Sequence, residues 1–358
     1  MRYVWILLLF TLLQGQAFAV QVEGLYSATV PVASQQREER NAAMQQAIGK
    51  VVRKISGTKV ANNSPALQEE LLDVGSYVEQ FQYSKLEETV LLKVRFQKNA
   101  IDNVLERHGV SVWGSSRPTV LVWLAIEEKG RRYLVGEDET AQQLLLQQAA
   151  SESGLPIMLP VLDIEDQRAV KFNDVRGLFV ERVLDASARY NAKQVVIGRI
   201  RRDTSGEWRL NWILLNKQTQ FESQARADSL EAVLDIGFAS VAGHLIDIYA
   251  PKGQHVENEV ELQIEGLADL SRFSRVAQYL SSLDRVKNLQ WEHVELGQSR
   301  LKVIFMGPLE GLKQSIALGD VLTLQPSIAQ EDIQWSPEHV GNQPESMLTP
   351  ILHYRLKE

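Results

Sequence analysis

The sequence predicts an α+β / α/β protein of three small modules in series, and three observations carry that prediction. Strand-like periods of two and helix-like stripes alternate along most of the chain. A central stretch repeats strand, helix, strand, helix, strand, the order that gives parallel pairing with right-handed crossovers. The length of 358 residues, with 44% hydrophobic and 23% charged, suits two or three globular domains. The same composition excludes a collagenous, disordered or multi-span membrane chain.

The N-terminus reads as an export signal. Arg2 is the sole charge before the apolar run Val4 to Leu13, and Ala17-Phe18-Ala19 supplies a small-x-small cleavage pattern. Cleavage is expected after Ala19, which places the mature chain in the periplasm. An uncleaved anchor is the alternative, but the run is about half of the ~20 residues that a spanning helix needs. No later stretch is expected to span. Removing Arg2 leaves 37 basic against 45 acidic residues, a net charge of -8. Such a balance gives no overall field favouring nucleic acid. The absence of cysteine removes thiol nucleophiles, disulfides, thiolate zinc sites and a lipidated N-terminal cysteine.

The first module, residues 20–112, opens with alternating Val20, Val22, Gly24, Tyr26, Ala28 and Val30, a strand that Pro31 is expected to end. Ala43, Ala47, Val51 and Ile55, widened by Met44, Ile48 and Val52, predict a helix from Gln36 to Ser56 with Gly57 as its C-cap. Pro65 starts a second helix. Tyr77 to Leu86 and Glu88 to Phe96 read as a hairpin, and a helix from Asn99 to His108 closes the unit at Gly109.

The second module, residues 118–250, begins with the nearly continuous apolar run Thr119 to Ile126, the signature of a strand covered on both faces. A helix from Thr140 to Ser153 leads to a second strand, Pro156 to Leu162. A helix from Asp174 to Tyr190 then leads to a third strand, Gln194 to Gly198. Trp208 to Leu215 and Gln218 to Ser223 extend the sheet as antiparallel meanders. The stripe Leu230, Leu234, Gly237, Val241, Leu245 and Ile248 marks a long helix before the polar linker Pro251 to Asn258.

The third module, residues 258–325, has the β-α-β-β-α-β order of ferredoxin-like domains. Its helices fall at Asp269 to Leu283 and up to Leu318, with a last strand at Val321 to Leu324. Residues 326–358 carry Pro326, Pro337, Pro344 and Pro350 with little periodicity and read as an extended or disordered tail.

Chemistry is sparse. The sequence lacks Gly-x-Gly-x-x-Gly, Gly-x-x-x-x-Gly-Lys-Ser/Thr and Gly-x-Ser-x-Gly, and its six histidines have no metal-site spacing. No catalytic residue, metal or cofactor is therefore expected. The densest polar group is Asp163, Glu165, Asp166 and Asp174, after the second central strand, where open parallel sheets place ligand crevices. Close carboxylates suit a divalent cation or an acid/base pair. The plainer alternative makes Asp174 an N-cap and Asp163 a turn former. Arg199, Arg201 and Arg202, with Trp208 and Trp212 on the next strand, suit an interaction surface, since arginine and aromatic residues dominate hot spots. Trp208 and Trp212 also share one strand face, most simply the core face of a sheet. Arg131-Arg132 after Glu127-Glu128 reads as a solvated hairpin tip.

The opening Val22-Glu23-Gly24-Leu25-Tyr26, the helix with Arg40, Ala43 and Ala47, and Ser56-Gly57 resemble a family of exported Gram-negative proteins known as domain of unknown function 2066. Gly154-Leu155-Pro156, Leu159 to Asp163, Asp174 to Gly177 and Gly198-Arg199 resemble it as well. More distantly, the first module resembles the N-terminal unit of flagellar outer-membrane-ring accessory proteins, and the second the N-terminal domain of TolB-type translocation proteins. The family resemblance brings no activity or catalytic residues with it; the export signal, the serial modules, the missing catalytic motifs and the likeness to envelope-assembly domains together lead to the expectation of a non-enzymatic periplasmic adaptor binding envelope proteins. The competing expectation is a periplasmic hydrolase or small-ligand binder using the Asp163–Asp166 crevice.

Overall fold

The computed structural model describes residues 20–57, 64–137, 140–216, 219–250, 257–295, 297–319, 321–326 and 350–357. The expected signal peptide and residues 251–256 of the linker lie outside them. The fold is mixed α+β, built on three main sheets and a two-stranded ribbon.

In the first unit, β1 (Val20–Gln21) is followed by a turn at Gly24, whose φ of 73° favours glycine, and by β2 (Ser27–Val32). Pro31 lies within β2 rather than ending it. The strand is at a sheet edge, where the missing N–H costs no ladder bond. Helix α1 (Arg37–Ser56) buries Ala43, Ala47, Val51 and Ile55 as its stripe requires, and Gly57 closes it at φ 84°. Helix α2 (Pro65–Glu70), the hairpin β3 (Val78–Leu86) and β4 (Thr89–Phe96), and α3 (Lys98–Arg107) complete the unit, with strand order β2-β4-β3. β5 (Ser116–Arg117) then pairs with β1.

The central sheet runs β11-β10-β9-β6-β7, with β8 also on β6. β6 (Val120–Glu128) is parallel to β8 (Ile157–Met158) and β9 (Gln194–Arg202), and its hairpin partner is β7 (Arg131–Leu134). Its apolar run is divided between two faces. Val120, Val122, Leu124 and Ile126 join one core with α4 (Ala141–Glu152) and α8 (Leu230–Tyr249), whereas Leu121, Trp123 and Ala125 join another with the helices of residues 172–187. β10 (Trp208–Leu215) and β11 (Gln220–Ala227) continue the sheet antiparallel.

Two expectations are corrected here. The second strand shrinks to two residues, because Pro156 and Pro160 lack donors and Leu162 sits at φ 56°. The single helix expected from Asp174 is α6 (Phe172–Arg176) and α7 (Val180–Ser187), separated at Leu178, φ 56°, and preceded by α5 (Ile164–Ala169).

Helix α8 is long and apolar enough to cross a membrane by length and composition, contrary to the expectation that no later stretch is. In the fold it buries Val233, Leu234, Phe238, Val241 and Leu245 against the central sheet. Gly237 permits that contact, since a Cβ there would lie 2.4 Å from Leu210 and 2.5 Å from Trp212. Alanine would gain about 1 kcal/mol of helix propensity, but overpacking costs about 1–3 kcal/mol. Gly237→Ala is therefore expected to lower the urea midpoint, and a raised midpoint would show that the helix shifts freely.

The third unit comprises β12 (Glu257–Leu267), α9 (Leu270–Ser281), β13 (Val286–Glu295), β14 (Gly297–Met306), α10 (Leu309–Leu318) and β15 (Leu322–Leu324). The expected β-α-β-β-α-β order is present. The sheet, however, is β13-β14-β12-β16-β15, because β16 (Ile351–Leu356) lies between the first and last strands, parallel to β12 and antiparallel to β15. Part of the expected tail is thus an inner strand with Tyr354 and Leu356 buried. Residues 327–349 of that tail lie outside the described residues.

The three units meet at the segment 113–117. Arg117 is fully buried, and its guanidinium donates to the carbonyls of Lys54, Trp113, Gly114 and Gly154 at 2.7–3.2 Å. Its Cζ lies 4.1 Å from the centroid of the Trp113 ring, which stacks on Tyr249. Asp284 of the third unit accepts the Ser116 N–H and packs on Gly114, where a Cβ would fall 1.9 Å from its carboxyl. Burial pulls the Arg117 pKa down to about 9, leaving it cationic at neutral pH, and pushes that of Asp284 up. Arg285 donates to Tyr249 O at 2.6 Å, and Lys193 to the carbonyls of Ala317 and Leu318 at the end of α10.

Candidate functional site

The carboxylates singled out in the sequence fall into two groups. Asp163 caps α5 by accepting the Asp166 N–H at 2.9 Å, so it is an N-cap rather than a simple turn former. Asp174 lies inside the first turn of α6, where it accepts the Lys171 N–H at 2.8 Å and pairs with Arg182 at 3.1 Å. The N-cap expected there is thus held by Lys171.

Asp163, Glu165 and Asp166 converge on Arg189, at 2.8, 3.5 and 3.0 Å. Asp166 is 1% exposed and also accepts the Leu162 N–H and the Tyr190 hydroxyl. Arg189 and the backbone donor hold the Asp163 carboxyl well below the usual range. The cation charge that clustered carboxylates call for is supplied here by a guanidinium. Among the described residues no group of three or more His, Asp or Glu side chains is arranged to hold a metal.

A depressed carboxylate pKa contributes stability that is present above the ordinary value, 3.8, and is lost as pH falls through the folded-state value. The melting temperature should fall more steeply below about pH 4 in the wild type than in Asp163→Asn. Parallel acid profiles would show that Asp163 is not linked to folding.

The arginine and tryptophan group is divided by the pleat. Trp208 and Trp212 are buried under α8, on the core face. Arg202 shares their side, lying over the Trp208 ring at 5.7 Å and reaching Glu128 at 3.4 Å. Arg199 and Arg201 point to the opposite face, beyond the part that α6 and α7 cover. There they line an open concavity of about 750 Å³ with Glu127, Lys129, Arg176 and Asn211, and Arg202 and Asp203 reach its rim from the end of the strand.

This concavity stands at the carboxyl ends of the parallel strands β6 and β9, where open α/β sheets place ligand sites. Glu127 is held by Arg132 at 3.0 Å and Arg176 at 3.3 Å, which keep its carboxyl below its usual pKa. Arg199 donates to the Arg176 carbonyl at 3.2 Å. Among the described residues no carboxylate lies within ion-pair distance of Arg199 or Arg201. Two guanidiniums in an open hollow can take a carboxylate or phosphate in bidentate geometry. Alternation on the third central strand was the signal for this side; the division from Trp208 required knowing which face α8 covers.

Fold and site define a mixed α+β protein of three packed sheet units with a basic concavity on the middle one. Residues 19–114 match a family model described as Domain of unknown function (DUF8605), which spans the first unit. That match replaces the expected resemblance to domain of unknown function 2066, and it shows no likeness to TolB-type or flagellar-ring domains. The motifs behind those resemblances serve general needs: Gly24, Gly57 and Gly154 occupy positive-φ turns and caps that many α/β units contain. No curated protein matches the chain.

Proposed function

We propose that the protein is a non-enzymatic adaptor of the periplasm that acts in cell-envelope assembly by binding other proteins. The observation that carries this reading is the joint at Arg117. A single buried guanidinium ties α1, the segment 113–117 and the turn after α4 together, and Asp284 brings the third unit onto the same segment. Fixed units present their surfaces in a constant relative orientation, which lowers the ordering cost of binding. The arginine-lined concavity is the docking surface that we assign to this role. The compartment rests on Arg2, the run Val4 to Leu13 and Ala17-Phe18-Ala19.

The test is proximity cross-linking of the exported protein in living cells, with a version lacking residues 1–19 as control. Reproducible capture of the same envelope proteins, lost in the control and reduced by Arg199→Ala with Arg201→Ala, is the expected result. Export without any specific capture would overturn the reading.

A further inference from the structure

The register of the central sheet extends the basic surface past the concavity. Arg201 on β9 is paired directly with Arg209 on β10, and Arg209 with Arg226 on β11, so three arginines form a row across neighbouring strands on one face. The next row on that face contains Arg199, Asn211 and Gln224. The opposite face of β10 and β11 packs on α8 through Trp212 and Ala225, which leaves the arginine face to solvent.

Like charges set directly opposite each other disfavour a sheet. Arg209 is compensated by Asp203 at 2.8 Å and Glu207 at 2.9 Å. Arg201 and Arg226, both exposed, have no carboxylate partner among the described residues. On β6 the row continues with Glu127, directly opposite Arg201, but that carboxyl is engaged by Arg132 at 3.0 Å and Arg176 at 3.3 Å, so Arg201 and Arg226 flank Arg209 without an ion pair of their own, in a chain whose acidic residues outnumber its basic ones.

We propose that this row recognises an acidic polypeptide segment with carboxylates two residues apart. The inference rests on the adaptor reading and names the chemistry of its partner. Strands lie ~4.8 Å apart, so Arg201 and Arg226 anchor points stand roughly 10 Å from each other, within side-chain reach of carboxylates at i and i+2 of an extended peptide, ~6.8 Å apart. Guanidinium pairs carboxylate bidentately. The amides of Asn211 and Gln224, one row away, are suited to the donors and acceptors of a peptide backbone. Glu127 and Glu222 share this face. They would repel a continuous polyanion such as nucleic acid or an anionic bilayer, yet tolerate a peptide whose charges are spaced.

The probe is a fluorescein-labelled dodecapeptide of alternating Glu and Gly, titrated by anisotropy against the protein lacking residues 1–19, with an alternating Lys and Gly peptide as control. The Glu peptide should bind, weaken with salt, and lose at least tenfold in affinity in Arg201→Gln with Arg226→Gln, while that variant melts no lower than the wild type. Equal binding by wild type and variant, or no binding of the Glu peptide, would overturn the proposal, as would tighter binding of phosphatidylglycerol vesicles or oligo-dT. The adaptor reading is judged separately: envelope proteins captured equally by wild type and variant would sink the arginine row and leave the adaptor standing. Absence of capture sinks the adaptor whatever the peptide does.

Discussion

Arg117→Ala is expected to destabilise the protein by about 3–5 kcal/mol, the range for leaving buried charge-assisted partners unmade. The guanidinium is wholly buried and donates to four carbonyls drawn from α1, from its own segment and from the turn after α4. Truncation leaves those carbonyls facing a cavity, each at a cost of about 1–3 kcal/mol unless water enters. Arg117→Lys should recover little, because an ammonium carries three donors on one point and cannot reproduce the planar fork. Gly154→Ala should fail in the same direction. Its φ is 69° and its Cβ would meet Arg117 at 2.4 Å. Since both changes act on one contact, the double variant should be less destabilised than the sum of the singles. Urea unfolding followed by tryptophan fluorescence checks this, and loss of the joint should make the units unfold in more clearly separated transitions than in the wild type. A loss of unfolding free energy below about 0.5 kcal/mol, within the range of ordinary surface substitutions, would show that the joint is held elsewhere.

Much of this fold was legible because local rules and packing agree. The stripe of α1 and its Gly57 cap, the hairpin of β3 and β4, and the doubly covered run of β6 each follow from spacing and composition alone. Sequence reasoning failed where backbone conformation departs from the pattern. Nothing in Leu162 or Leu178 marks a left-handed φ, yet Leu162 turns the chain at the end of the expected second strand and Leu178 divides the helix expected from Asp174 to Tyr190. Arg117 was missed for a related reason. A lone arginine between Ser116 and Pro118 looks like a surface residue, and only the convergence of carbonyls from distant segments makes it a core one.

The candidate surface was legible in part. The arginines of β9 stood out, but the charge that matters is distributed across three strands whose pairing a single sequence does not reveal. The carboxylate group shows the converse. Its density attracted attention, while Arg189, two elements away, answers it.

The largest departure lies at the C-terminal end, and it makes the second strong prediction. Ending the chain after Pro326 should unfold the third unit, although the proline-marked sequence beyond it reads as dispensable. The deletion removes β16, which pairs with β12 on one side and β15 on the other. It takes Tyr354 and Leu356 out of a core that includes Val260, Leu262 and Ile264. Two large side chains account for about 3–6 kcal/mol of apolar burial, and a unit of fewer than ~80 residues rarely has more than 3–5 kcal/mol to lose. Tyr354→Ala should act in the same direction by about 3–5 kcal/mol, as aromatic truncations in cores do. Amide hydrogen exchange reads the outcome by region. Protection should vanish across β12, β13 and β14 while β6 and β9 keep theirs. One result would reverse the interpretation: protection retained along β12 in the shortened chain. The last strand of the β-α-β-β-α-β order would then have moved beside the first, and β16 would be an insertion into a sheet that is complete without it.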